Sequence, residues 1–218
     1  MTTEEQSPRE FSWLRKVVIP ASVGAVAGFA AVFAMMRFID SDMVGGLDTS
    51  AMIAAAVGVL YCVIASGMLV GTTNPRLGAQ FLNVEDADEL REQQRMLVTS
   101  SGAMALWGTA LVTLALAAPD GPVPQGAALI VGAGGLLLGT ALSYLTYRFC
   151  DELMLAVNLE AGAITFGLVM LVVGMWAVLA HLGFATAPQP LDLLTAFYVL
   201  VLLASFIAVG RRGMLTVR

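Results

Sequence analysis

Glu160 and Asn158 come closest to carrying chemistry: a carboxylate and a carboxamide inside an otherwise apolar run from Leu153 to Gly183. An ionisable group within membrane-length apolar sequence is costly to desolvate, and such groups mark ion pathways and proton relays. One reading of Glu160 is therefore a proton- or cation-coupling carboxylate. The other is an acid at the membrane edge whose side chain reaches water. A helix beginning at Asp151 would put Glu160 about 13 Å along its axis, at the interface or one to two turns into a bundle. Asp151, Glu152, Asn158 and Glu160 do not share one narrow helical face, which favours the edge.

Other reactive side chains are sparse. His181 is the single histidine, so bis-histidine haem and facial-triad iron are excluded. Thr99, Ser100 and Ser101 fall at the opposite side of the membrane and cannot serve it as nucleophiles; an interfacial, hydrogen-bonded histidine is the expectation. Cys62 and Cys150 fall at different depths, and two cysteines with one histidine make no ordinary zinc site. They read as small packing residues. Five acids within Glu85–Glu92 lack the alternating spacing and glycine turn of a calcium loop; they suit a solvated helical extension or a protein-contact surface. Gly132, Gly134, Gly135 and Gly139 suggest a nucleotide loop only superficially, because neither a preceding strand nor a following acid is present. No catalytic residue, cofactor or metal is expected, and the chain does not read as an enzyme.

These residues must be held by elements that composition identifies. The 218 residues are 58% hydrophobic and 12% charged, with mean hydropathy +0.84. Soluble domains run about 45–50% apolar and about 25% charged, and a water-facing surface could not be covered with so few charges. The net charge of −5 gives nucleic acid no extended basic face. The expected fold class is all-α: a polytopic transmembrane helix bundle of about six spans, at 17–38, 51–72, 97–118, 125–147, 160–182 and 191–210. Each has roughly 20 residues, enough for a hydrocarbon core about 30 Å thick. Turn residues punctuate them, as in Asn74-Pro75, Pro119-Asp120-Gly121-Pro122 and Pro188-Gln189-Pro190.

Charge sets the expected orientation. Arg9, Arg15, Lys16, Arg76, Arg91, Arg95, Arg148, Arg211, Arg212 and Arg218 all fall on one side if the spans alternate, leaving only Arg37 on the other. Cytoplasmic loops carry the lysine and arginine excess, so both termini are expected in the cytoplasm. One lysine against ten arginines, with abundant Ala and Gly, points weakly to a GC-rich bacterial genome, hence a bacterial inner membrane.

Residues 1–16 form the N-terminal segment, 17–210 the membrane domain with a charged cytoplasmic helix at about 84–96, and 211–218 the tail. Ser7-Pro8-Arg9-Glu10 resembles a capping box opening a short interfacial helix with Phe11, Leu14 and Val18 on one face and Trp13 as anchor. The first span is expected to be a retained anchor, since its apolar run exceeds a signal core.

Small residues four apart let helix backbones meet. Gly24 and Gly28, Ala54 and Gly58, Gly67 and Gly71, and Gly135, Gly139 and Ser143 make such stripes, so helices one, two and four are expected at the tight centre and span six toward lipid. A faint repeat pairs Asp88-Glu89-Leu90 and the span after it with Asp151-Glu152-Leu153 and its span. The expected partners are the lipid bilayer and, through the spans or the helix at 84–96, other proteins, with no nucleic acid. Two functions follow: a non-catalytic structural, assembly or regulatory membrane subunit, or a small secondary transporter or channel using Glu160, with Asn158 beside its path.

Overall fold

The computed structural model describes residues 19–39, 47–73, 87–117 and 121–214, and among these every regular element is helical. They form α1 (Ile19–Ile39), α2 (Thr49–Thr73), α3 (Ala87–Ala115), α4 (Gln125–Thr146), α5 (Glu152–His181) and α6 (Pro190–Arg211). Helices α2 to α6 contain stretches long and apolar enough to cross a membrane; the apolar stretch counted in α1, Gly24–Arg37, is shorter. The expected N-terminal interfacial helix, the Arg76 loop, the start of the 84–96 helix and the end of the tail lie outside the described residues.

Capping chemistry fixes the starts of α2, α5 and α6 and the ends of α5 and α6. Asp48 accepts the Ala51 amide at the head of α2 at 2.8 Å. Asp151 caps α5 by accepting from the Met154 amide at 2.6 Å, which satisfies a donor that the helix itself cannot. Pro190 opens α6, and the Gln189 amide donates to Asp192 at 2.8 Å. At the far ends of α5 and α6, Gly183 (φ +80°) and Gly213 (φ +69°) take the left-handed conformation. In α5 the Phe184 amide donates to the Leu179 carbonyl and the Gly183 amide to Ala180; in α6 Met214 donates to Val209 and Gly213 to Gly210. Both are Schellman closures, in which a glycine reverses the chain without a Cβ clash.

Two elements depart from regular α-helix. Tyr147–Phe149 is a 3₁₀ turn that ends α4, and Val169–Val173 is a π turn inside α5. The expected fifth span, 160–182, is thus the later part of a 30-residue rod about 45 Å long, because the cap at Asp151 starts the helix well before the charge at Glu160.

Packing centres on α3, which lies against α2 on one side and α4 on the other; α6 adds to α2 and α3, and α5 rests on α6. The expectation that helices one, two and four form the tight centre is corrected here. Ser101, Gly108 and Ala115, with Ala103 and Ala110, are buried on α3 at seven-residue spacing, the repeat of two helices crossing at a shallow angle. α1 touches mainly α2. α6 is no simple lipid-facing span either: Thr195, Tyr198, Leu200, Ala204 and Ala208 are buried. The outermost long helix is α5, in whose most apolar window no residue is buried.

Candidate functional site

The Schellman closure at Gly213 makes Arg212 the C-cap of α6 and leaves Arg211 in its last turn. Both guanidinium groups thereby come to Glu160, half-way along the first straight part of α5. Arg212 Nε donates to Glu160 Oε2 at 2.9 Å, and Arg211 Nη1 approaches Oε1 at 3.1 Å. Each carboxylate oxygen thus has its own cation. The glutamate side chain is 23% exposed, Arg212 32% and Arg211 65%, so the acid is the most sheltered member. Cations at a helix C-terminus also complement its dipole, and α6 gains from the pair before Glu160 is counted.

Asn158 does not join this cluster. Its Nδ2 donates to the Met154 carbonyl at 2.8 Å within its own helix and reaches Cys150 Sγ at 3.7 Å. Cys150 in turn donates to the Thr146 carbonyl at 3.4 Å. Burial, and then the adjacent Asp151 charge, push the Cys150 thiol above its ordinary range, which keeps it a protonated, weakly reactive group at neutral pH. Cys62 is likewise a free thiol, half-buried and near Thr109. His181 is exposed at the end of α5. Among the described residues no group of three or more His, Cys, Asp or Glu could hold a metal ion.

No family model, curated protein or solved structure matches this chain.

The small-residue stripes divide sharply. A Cβ on Gly135 would sit 2.8 Å from the Leu106 carbonyl oxygen, and one on Gly139 would meet the Trp107 indole at 2.5 Å. Gly24 and Gly67 face open space, and Gly28 meets Leu60 at an ordinary 3.8 Å. Gly71 is buried and Ser143 half-buried. The tightest backbone-to-backbone approach is between Gly58 on α2 and Gly108 on α3, each of whose added Cβ would lie 2.8 or 2.7 Å from the other's carbonyl oxygen.

An aromatic cluster went unnoticed in the sequence. Tyr61 on α2, Trp107 on α3 and Tyr198 on α6 pack with ring centroids 5.3 Å (Tyr61–Tyr198) and 6.1 Å (Trp107–Tyr198) apart. Tyr and Trp prefer membrane interfaces, where the ring meets hydrocarbon and the polar tip meets water, yet Tyr61 is the midpoint of α2. Its hydroxyl donates to the Tyr198 carbonyl at 2.7 Å. The Tyr198 hydroxyl and the Trp107 N–H are buried with no partner among the described residues. Tyr61→Phe is therefore expected to destabilise the fold by about 0.5–1.5 kcal/mol, whereas Tyr198→Phe, which deletes an orphaned group, is expected to be neutral or stabilising by up to about 1 kcal/mol. Detergent thermal unfolding of the two variants decides this. A larger loss from Tyr198→Phe than from Tyr61→Phe would show that the Tyr198 hydroxyl has a partner.

Proposed function

We propose that this chain is a non-catalytic multi-pass membrane protein, a structural, assembly or regulatory subunit that works by contact with other proteins. Under this reading it crosses a bacterial inner membrane six times, α1 included, with both termini in the cytoplasm. The Arg211–Arg212 end of α6 then lies at the cytoplasmic face, a placement that the arginine distribution supports.

The observation that carries the proposal is how most polar groups of the spans are spent, with the Tyr198 hydroxyl and the Trp107 N–H as exceptions. Ser66, Ser101, Thr113, Thr146, Thr165, Thr195 and Ser205 each donate back to a carbonyl one turn earlier in their own helix. Asn158 does the same, and Glu160 is held by two arginines. A transport path needs polar groups that can exchange partners with the cargo; hydroxyls closed on their own backbone serve helix integrity instead. The apolar flank of α5 supplies a surface for lipid or another chain.

Reconstituted in vesicles, the protein is expected to pass neither protons nor alkali cations, with Glu160 intact or as Glu160→Gln, and to leave its native membrane in mild detergent with a stoichiometric protein partner. Flux that disappears in Glu160→Gln would replace this reading with the coupling-carboxylate transporter.

A further inference from the structure

We infer that a groove between the projecting start of α3 and the head of α5 is a receptor for a basic side chain on an amphipathic segment of a partner protein. The inference rests on the contact role proposed above and locates it.

The groove has a volume of about 270 Å³ and is lined by Glu92, Gln93, Met96, Phe149, Asp151 and Met154. On α3, Glu92 and Gln93 lie four and three residues before Met96, so each neighbours Met96 across one helical turn. Phe149 ends the 3₁₀ turn after α4, Asp151 is the α5 cap and Met154 belongs to the first turn of α5. A drug-sized or cofactor pocket occupies about 300–1,000 Å³; this space suits one or two side chains. Its chemistry is divided. Met96 is 9% exposed and Phe149 37%, and with Met154 they form an apolar floor of soft, adaptable side chains that accept varied partners. Glu92 and Asp151 are exposed acids in its lining, and no basic residue lines it among the described residues. One Asp151 oxygen is taken by the Met154 amide, which leaves the other free to accept.

Arginine and lysine are the side chains that fit such a lining, since their alkyl stems lie along apolar surface while the charged head reaches carboxylates; a guanidinium can also rest on the Phe149 ring. Anionic lipid headgroups are repelled by Glu92 and Asp151. Arg95 and Arg148, next in sequence to Met96 and Phe149, disfavour a diffuse polycation and select a single cation flanked by apolar residues. A basic amphipathic helix presents that pattern.

The test uses the full chain in phosphatidylcholine nanodiscs, with ¹³C-methyl methionine as the reporter. It is titrated with a synthetic helical peptide bearing arginine and leucine on one face. The Met96 and Met154 methyl signals are expected to shift saturably. The Glu92→Gln, Asp151→Asn double variant, in which asparagine preserves the cap, is expected to weaken binding at least tenfold, and a glutamate-for-arginine peptide is expected to produce no shift. The inference is overturned if neither methyl moves by 1 mM peptide, if the double variant binds equally well, or if the shift needs deletion of residues 1–16, which would make that segment the occupant. A native partner recovered while both methyls stay unmoved removes the groove and keeps the contact role; flux abolished by Glu160→Gln removes the contact role itself.

Discussion

Gly108→Ala is expected to lower the thermal midpoint of the detergent-solubilised protein by roughly 3–8 °C. The added carbon would lie 2.7 Å from the Gly58 carbonyl oxygen, 2.8 Å from Cys62 Sγ and 2.9 Å from Tyr61 Cβ. Two of those atoms belong to or adjoin backbone, so relief requires α2 and α3 to separate along their length. Overpacking of this kind costs about 1–3 kcal/mol, and separation also loosens Tyr61 and the small residues that interlock nearby. Alanine's better helix propensity returns at most about 1 kcal/mol. Gly162→Ala on α5 isolates that last contribution, because its Cβ meets nothing within 4 Å; it is expected to leave the midpoint unchanged or raise it. Equal midpoints for Gly108→Ala and Gly162→Ala would refute the close approach of α2 and α3.

Glu160→Leu is expected to loosen α5 before any other element. The carboxylate holds Arg211 and Arg212 through contacts of 3.1 and 2.9 Å. Exposed ion pairs contribute about 0–1 kcal/mol and sheltered ones more. With Arg211 largely in solvent and Glu160 mostly covered, a loss of about 1–2 kcal/mol follows. Its location matters more than its size. Beyond the clamp, α5 is held to α6 by a small cluster around Val157, Ala161 and Ala208. Amide hydrogen exchange should therefore accelerate over Leu153–Ala161 while α2 and α3 keep their protection. A double-mutant cycle with Arg212→Gln is expected to return a coupling of about 0.5–1.5 kcal/mol. Additive effects would mean that the pair contributes nothing to holding α5.

Hydropathy is a property of a local stretch of chain, and for that reason the helices were legible: α2, α4 and α6 lie within two residues of their expected bounds at each end. The charged start of α3 was legible too, but the early start of α5 was not: its span was expected at 160–182, and the Asp151 cap that begins the helix went unread. What a helix packs against is not a local property. The stripes at Gly24 and Gly135 look alike in sequence, yet one faces open space and the other a carbonyl of α3. The centrality of α3 was missed because its small residues recur at seven, with Thr, Leu and Trp between them, where a four-residue stripe was the pattern sought. Glu160 stood out as an intramembrane acid, but its partners are about fifty positions away and are supplied by a glycine-dependent helix end. Tyr198 had no signal at all, since a tyrosine in an apolar run looks the same whether it faces lipid or the centre.

α6 is fastened at both ends. Near its start, Asp192 accepts from the Ser50 hydroxyl of α2 at 2.6 Å; at its close, two arginines grip Glu160. Sliding by one helical turn, about 5.4 Å, would undo both fastenings together, so its height relative to α2 is fixed. Among the described residues α5 shows no such second anchor: past the π turn at Val169–Val173 its last residues have little contact with α6. Mechanically it resembles a cantilever clamped at the Glu160 end, whose free arm is expected to bend in a thinner or thicker bilayer before the α2–α3–α4 body moves.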